Sequence, residues 1–392
     1  MADTLPPAEW TQRDTLAALV RALGSGHARW VGGAVRDTLV GKDVQDIDAA
    51  TPLPPHEVIV RLQAAGIRTI PTGLKHGTVT AILDDGTVEI TTLRKDIATD
   101  GRHAEVQFAS DWKEDAARRD FTINALYADP VTLELFDYFG GRDDLATQRV
   151  RFIGDARTRI AEDYLRILRY FRFQARFGAK PDAIAEEACS ALAGQLAGLS
   201  RERVGWELLN LLGLPDPAET VARMHTLGVL PVVLPECGQR EITKLRSLIT
   251  TEQAASARPD ALRRLAALLP ALPAVAASTA SRLRLSRAQQ ARIACVAERT
   301  PADVDNPRAL AYNIGKDCAI DRLLLAGADI ASIQDWEIPE FPLNGGAIIA
   351  RGIKPGPQVS AIQSQLEDQW VAEGFPDKAR VSAILDTLLA QL

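Results

Sequence analysis

Cysteine is scarce in this chain. Its four residues, Cys189, Cys237, Cys295 and Cys318, lie far apart among 392 and form no C-x-x-C pair. That spacing suggests neither a zinc site nor a disulfide framework, and it predicts reduced, structural thiols. No apolar run reaches the roughly 18 residues of a membrane-spanning helix. The N-terminus MADTLPPAEW lacks the charged-then-apolar layout of a signal peptide. A soluble, cytoplasmic protein is therefore expected. There is no internal repeat and no low-complexity tract, and aromatics are only 5% of residues. An overall excess of positive charge is missing too: a net charge of -6 argues against an all-over nucleic-acid coat. What is present, 46% hydrophobic and 24% charged residues, is ordinary globular composition. The length exceeds one typical core of roughly 100 to 200 residues, so two to four domains or sub-domains are expected.

A local cationic island stands out within the acidic total. Between Arg149 and Arg176 there are eight arginines against only Asp155, Glu162 and Asp163. Upstream of it, strand and helix signals alternate. Leu16, Leu19, Val20 and Leu23 have helical spacing; HARWVGG reads as strand into turn, AVRDTLVG as a short helix and QDIDAAT as a strand. PPHEVIVRLQAAG is a helix entered through proline and left through glycine. GTVTAILDDGTVEITTLR gives two β-rich runs around an Asp-Asp-Gly turn, a strong hairpin signal. After Gly154 the strand signals fade into helical patterns such as ARTRIAEDYLRILRYFRFQARFG and SRERVGWELLNLLGL. These signals read as an α/β sheet domain followed by an α-helical body, a chain of α+β class as a whole.

Two features of the first part carry chemistry. A strand ending in Gly32-Gly33 and turning into a helix exposes backbone N–H groups that a triphosphate can approach, since glycine has no Cβ. A tight turn with no ligand would look the same. Arg36, one turn on, can reach a phosphate or form a surface ion pair with Asp37 or Asp43. Asp46 and Asp48 stand at i and i+2, so on a strand both side chains point to one face. Carboxylates so placed can hold one or two Mg²⁺ ions through hard oxygen ligands, which would activate an attacking hydroxyl and stabilise a leaving pyrophosphate. Glu89 in TVEITT is the candidate third carboxylate.

The series VGGAVRD, DID, GLKHGTVTAI, RRDFTINALY and EDYLRILRYFRF resembles, in order, the motifs of class II tRNA nucleotidyltransferases, the CCA-adding enzymes, whose head is shared with polymerase-beta-like nucleotidyltransferases. The likeness spans about residues 30 to 177 and reaches more weakly into FPLNGGAIIARGIKPGPQVSAI. It implies an N-terminal helix over 1–25, a catalytic head over 26–145, an all-α neck with base recognition over 146–213 and an α-helical, tRNA-binding body and tail over 214–392. It implies template-independent addition of CCA to tRNA from CTP and ATP with Mg²⁺, and no obligate protein partner or membrane. Asp46 and Asp48 would be the catalytic metal ligands, and Gly33, Arg36 and Arg119 nucleotide contacts, with Asp120 and Asn124 bracing the site, binding the ribose or capping a helix.

The arginine stripe adds base recognition. On one helix, Arg166, Arg169, Arg172 and Arg176 fall within about a 120° arc, with Asp163 about 60° beyond it and Ile167, Leu168 and Phe171 opposite. An aspartate accepts from an exocyclic amine and an arginine donates to ring acceptors. Asp163 with Arg166 can therefore take C and A and reject U and G, as the resemblance implies, and Arg169 and Arg172 resemble the family's further nucleotide contacts. LRKDIATDGRHAEVQFASDW, with Arg94, Lys95, Asp96 and Arg102, resembles in its place the family's flexible loop tied to the switch to the final A; a merely disordered surface loop is the alternative. RLRLSRAQQARIACVAER and RGIKPGPQV are candidate tRNA contacts. A poly(A) polymerase, a CC- or A-adding specialist and a non-catalytic RNA-binding protein are the competing readings.

Overall fold

A computed structural model of the chain describes residues 3–99, 104–108 and 111–391. Contacts divide the chain into two compact units, Met1–Val233 and Leu234–Leu392. The boundaries expected near residues 145 and 213 both fall inside the first unit.

The first unit opens with α1 (Asp14–Leu23), whose Leu16, Leu19, Val20 and Leu23 are buried at the spacing the sequence shows. Then come β1 (Arg29–Val31), α2 (Gly33–Leu39), β2 (Ile47–Thr51), α3 (Pro55–Ala64), β3 (Arg68–Gly73), β4 (Thr78–Leu83) and β5 (Gly86–Thr92). β4 and β5 form the hairpin expected at the Asp-Asp-Gly turn, in register from Leu83 opposite Gly86 to Thr78 opposite Thr91. β6 (Arg94–Thr99) pairs with β7 (Ala104–Phe108) as a separate two-stranded ribbon where a long polar loop was expected. Arg102 of that expectation lies outside the described residues. After α4 (Trp112–Ala117), β8 (Leu126–Ala128) and β9 (Leu135–Asp137) complete a seven-stranded sheet in the order β3-β4-β5-β2-β1-β8-β9. Only β2 and β5 run parallel, so the sheet is mixed. Its centre brings Asp48 of β2 opposite Val31 on one side and Glu89 on the other.

Helices follow: α5 (Gly141–Ala146), α6 (Ala156–Glu162), α7 (Arg166–Phe177), α8 (Ala183–Leu192), α9 (Arg201–Leu212), α10 (Ala218–Thr226) and α11 (Leu230–Val233). The single helix expected to carry both Asp163 and the arginine stripe is two. Asp163 sits between α6 and α7 with extended backbone (φ -152°, ψ 105°), and its Oδ1 accepts from the Leu165 amide at 3.1 Å. An aspartate that satisfies a backbone donor two residues on competes with the helix ladder, which is why the helix breaks there. α7 is anchored from its other face. Phe121 packs on Phe152, at 4.9 Å between ring centroids, and on Phe173 at 5.2 Å, while Ile167, Leu168 and Phe171 are buried as the periodicity predicts.

The second unit is helical: α12 (Gln239–Ala254), α13 (Ala261–Ala267), α14 (Pro273–Arg282), α15 (Arg287–Ala297), α16 (Pro307–Ile314) and α17 (Lys316–Leu325), then a C-terminal group of helices around buried Leu366, Trp370 and Leu385. Its core holds charge. Arg263 and Arg264 are buried against Glu252, at 2.7 and 2.9 Å, and Arg292 grips Asp321 at 2.7 Å and Asp260 at 3.0 Å. Several arginines of the stretch expected to meet tRNA are thus committed internally: Arg292 as above, Arg282 to Glu236, and Arg299 to carbonyls of Ala266 and Leu269. Arg284 and Arg287 remain exposed. No helix among the described residues is long and apolar enough to cross a membrane.

The expectation of four reduced thiols fails for one pair. Cys295 on α15 and Cys318 on α17 form a disulfide, with 6.5 Å between Cα atoms and 23 residues between them in sequence, while Cys189 and Cys237 are free and buried. The pairing follows from α15 packing on α17, which no spacing motif announces. Closing a loop of that size restricts the unfolded chain. Reducing it, or replacing both residues with serine, is expected to lower unfolding stability by about 3 kcal/mol, seen as an earlier denaturant midpoint for the helical unit in the full chain.

Candidate active site

The turn from β1 into α2 is built on Gly32, whose φ of +68° favours glycine; a Cβ there would also meet Arg119 Nη1 at 3.4 Å. Gly33 is different: a Cβ would meet only the Arg36 guanidinium at 3.9 Å, so no close packing inside the protein demands glycine at that position. The helix after it is only seven residues long, so side chains rather than its dipole must supply the positive charge here. Arg36 is buried and lies over the rings of Phe177 and Phe173, at 4.4 and 5.2 Å from their centroids. Burial pushes it below the ordinary arginine value despite the Asp37 carboxylate at 2.7 Å.

A cavity of about 540 Å³ opens beside this turn, lined by Gly32, Gly33, Asn124, five arginines (Arg36, Arg119, Arg169, Arg172, Arg176), five aspartates (Asp37, Asp43, Asp46, Asp48, Asp120) and a few other residues. The aspartates divide into two groups. Asp37 and Asp120 neutralise arginines. The side chains of Asp43, Asp46 and Asp48 make no hydrogen bond or ion pair with any described residue. Asp46 is exposed and precedes β2, which begins at Ile47 rather than at the expected Gln45. Burial pushes the Asp48 carboxyl up to about 6, neighbouring Glu89 and Asp46 add to the rise, and Arg119 opposes it. Carboxylates crowded together without a cation are the donor set a hard divalent ion relieves. Among the described residues, no group of three or more His, Cys, Asp or Glu side chains forms a ready-made cage. Mg²⁺ needs none, since it commonly binds through one or two carboxylates plus substrate phosphates.

The basic wall is held by one continuous chain of ion pairs and hydrogen bonds. Arg176 contacts Asp37 at 3.0 Å, Asp37 holds Arg36, and Arg36 donates to Asn124 Oδ1 at 2.5 Å. Asn124 donates to Asp120 Oδ1 at 3.0 Å, and Asp120 Oδ2 holds Arg169 at 2.6 Å. Arg169 and Arg172 then share Glu207 of α9, at 3.5 and 2.7 Å. Burial opposes the charge of Asp120, but Arg169 and the hydrogen bonds from Asn124 and the Phe121 amide hold its carboxyl down at about 2. Arg119 is fixed separately by the Tyr127 hydroxyl at 3.2 Å and Asp115 at 3.4 Å, with Tyr127 donating to Asp115 at 2.7 Å.

Of the sequence-predicted residues, the cavity gathers Asp46, Asp48, Gly33, Arg36, Arg119, Arg169 and Arg172. Asp163 and Arg166 do not line it, and their side chains do not bond each other, although the Arg166 amide donates to the Asp163 carbonyl oxygen at 3.0 Å. Asp163 accepts from Arg203 at 2.6 Å, and Arg166 donates to Glu162 at 2.5 Å.

Residues 28–151 match the poly A polymerase head domain, and residues 181–239 match the probable RNA and SrmB-binding site of polymerase A. The Homo sapiens mitochondrial CCA tRNA nucleotidyltransferase 1 is 38% identical over 369 residues, covering 88% of this chain and 83% of that protein. The Danio rerio counterpart is 36% identical over 384 residues, covering 93% and 86%. The chain belongs to the CCA tRNA nucleotidyltransferase family. The crystal structure of Bacillus stearothermophilus CCA-adding enzyme in complex with CTP shares its architecture at a TM-score of 0.74 and 26% identity, over 96% of this chain and 97% of that one.

Sequence reading of this nucleotidyltransferase missed Glu207. A signal existed: in α9 the buried positions Val204, Leu208 and Leu211 mark an apolar face, and Glu207 stands on it. A carboxylate in that place requires a buried cation, here two.

The depressed Asp120 carboxyl sets a pH dependence. Its folded value lies below the ordinary 3.8, so its stabilisation is complete above about pH 5 and is lost as pH falls toward 2. The unfolding free energy of the wild type should exceed that of Asp120→Asn by an amount that shrinks by roughly 1 kcal/mol between pH 6 and pH 3 in urea titrations. A constant gap over that range would show that the carboxylate is not held by Arg169.

Proposed function

We propose that this enzyme adds CCA to the 3′ end of tRNA from CTP and ATP without a template. The observation that carries the reading is the joining of an unneutralised Asp46/Asp48 pair and an arginine-lined wall in one cavity, within a chain whose family acts on tRNA. Asp46 and Asp48 would hold Mg²⁺, which supplies charge for activating the attacking hydroxyl and for the leaving pyrophosphate. Arg36, Arg119 and Arg176 place cationic donors along the path of a triphosphate. Gly32 and Gly33 let it approach the backbone. Asp120 and Asn124 act as braces, since each is occupied by arginine. We assign base selection to Asp163 and Arg166, with Arg169 and Arg172 as further nucleotide contacts. Asp163 must then exchange Arg203, and Arg166 must exchange Glu162, for the edge of the base. We place the activity in the cytoplasm; three relatives are named as mitochondrial, and cell fractionation decides.

tRNA transcripts ending before C, after C and after CC, given each labelled nucleotide with Mg²⁺, should gain only the missing residues in the order C, C, A. Asp46→Ala and Asp48→Ala should each cost more than about 100-fold, the size reached by removing mere outer partners of a metal site. Unlimited A addition to any RNA would make the protein a poly(A) polymerase, addition of only C or only A a specialist, and no incorporation an RNA-binding protein. Asp163→Ala should keep addition but narrow the preference for CTP over UTP by roughly 5- to 100-fold; unchanged selectivity would remove Asp163 from base reading.

A further inference from the structure

α9 sets three side chains at or beside the active-site wall. Arg203 meets Asp163, Glu207 holds Arg169 and Arg172, and between them Trp206 lies at 5.7 Å from the Arg172 guanidinium, measured to its ring centroid. Arg203 and Glu207 are accounted for as ion-pair partners. Trp206 is not: it is 58% exposed, and among the described residues it is the one aromatic side chain in the set of large exposed hydrophobics. Its surroundings are polar, with exposed Glu202 and Asn210 one helical turn to either side. Core packing therefore does not explain an indole here. Arg172, which it contacts, is itself part of the cavity wall together with Arg169 and Arg176. A flat apolar face beside a row of arginines is the combination that holds single-stranded nucleic acid: the cations track the phosphates and the ring takes a base face.

We propose that Trp206 is the stacking platform for the terminal base of the RNA strand being extended, with Arg172 beside it. This rests on the proposed reading that RNA 3′ ends are extended in this cavity. The primer, rather than the incoming nucleotide, is the occupant the position favours. The edge of the incoming base is already assigned to Asp163 and Arg166, whereas the ring of Trp206 lies against Arg172, which lines the cavity. Stacking also suits a primer whose last base changes during the reaction, because every base offers a π-face and none is read by hydrogen bonds.

The test compares wild type, Trp206→Ala and Trp206→Phe on full-length tRNA ending in CC, and on the same tRNA with an abasic terminal nucleotide. Thermal melting of each variant controls for folding. Trp206→Ala should raise KM for tRNA by roughly 5- to 100-fold, the loss of one stacked base, while leaving KM for ATP unchanged, and Trp206→Phe should recover most of it. The abasic end should weaken wild type strongly and Trp206→Ala no further. An unchanged tRNA KM, a rise in the ATP KM instead, or an equal abasic penalty in both proteins would overturn the platform. If the wild type adds nothing to tRNA, the functional reading itself has failed; if it adds C, C, A and Trp206→Ala matches it, only the platform has.

Discussion

The site depends on a partly buried row of ion pairs and hydrogen bonds running from Arg176 through Asp37, Arg36, Asn124, Asp120 and Arg169 to Glu207 and Arg172. Arginines gathered into one wall repel each other and lose hydration, and each is tolerated only because a carboxylate or amide of fixed position faces it. Those partners come from α2, from the turn after α4 and from α9, so the row ties together segments distant in sequence. Removing one member leaves a charge stranded among the rest, and double mutants within the row should not be additive. The aromatic core beneath does complementary work: Phe121, next to Asp120, packs against Phe152 and Phe173, so the packing that orders α7 also aims Asp120.

Across the cavity the opposite arrangement holds. Asp46 and Asp48 face Glu89 with only Arg119 as a cationic neighbour, and Asp48 is pushed up to about 6 as a result. A fold that satisfies nearly every other buried charge leaves this one uncompensated where β2 and β5 meet. Such local cost is tolerated where a ligand supplies the missing charge. The arginine-lined wall is thus neutralised in advance, and the wall of Asp46 and Asp48 is not.

Much of this was legible in the sequence wherever the signal is local. The Gly-Gly turn, the hairpin and the arginine spacing each follow from φ/ψ preference or periodicity and appear where expected, whereas of the D-I-D pair only Asp48 lies on the strand, which starts at Ile47. Three features were not legible. The break at Asp163 depends on one side chain outcompeting a helix ladder in a segment whose periodicity otherwise runs through. The Cys295–Cys318 bond arises from packing of two helices, with no motif to mark it. In the second unit the arginines at the end of α14 and in α15 read as candidate tRNA contacts in one dimension, but Arg282 is held by Glu236 and Arg292 by Asp321 of another helix. Sequence shows which residues are charged, while only the fold shows which of those charges remain for a partner.

The internal partners of Asp163 and Arg166 bear on the proposed base reading in the same way. Arg203 presents N–H donors to Asp163, as an exocyclic amine of cytosine or adenine would; Glu162 presents oxygen acceptors to Arg166, as the O2 and N3 of cytosine would. On that reading both side chains already make contacts of the same polarity as those a correct base would make. Exchanging one set for the other replaces donor by donor and acceptor by acceptor, so little hydrogen bonding is lost when C or A enters. A uracil or guanine carbonyl would instead set oxygen against the Asp163 carboxylate after Arg203 had been displaced, leaving that charge facing an acceptor. Selectivity on this reading comes as much from the contacts a wrong base forces the protein to abandon as from those a right base makes.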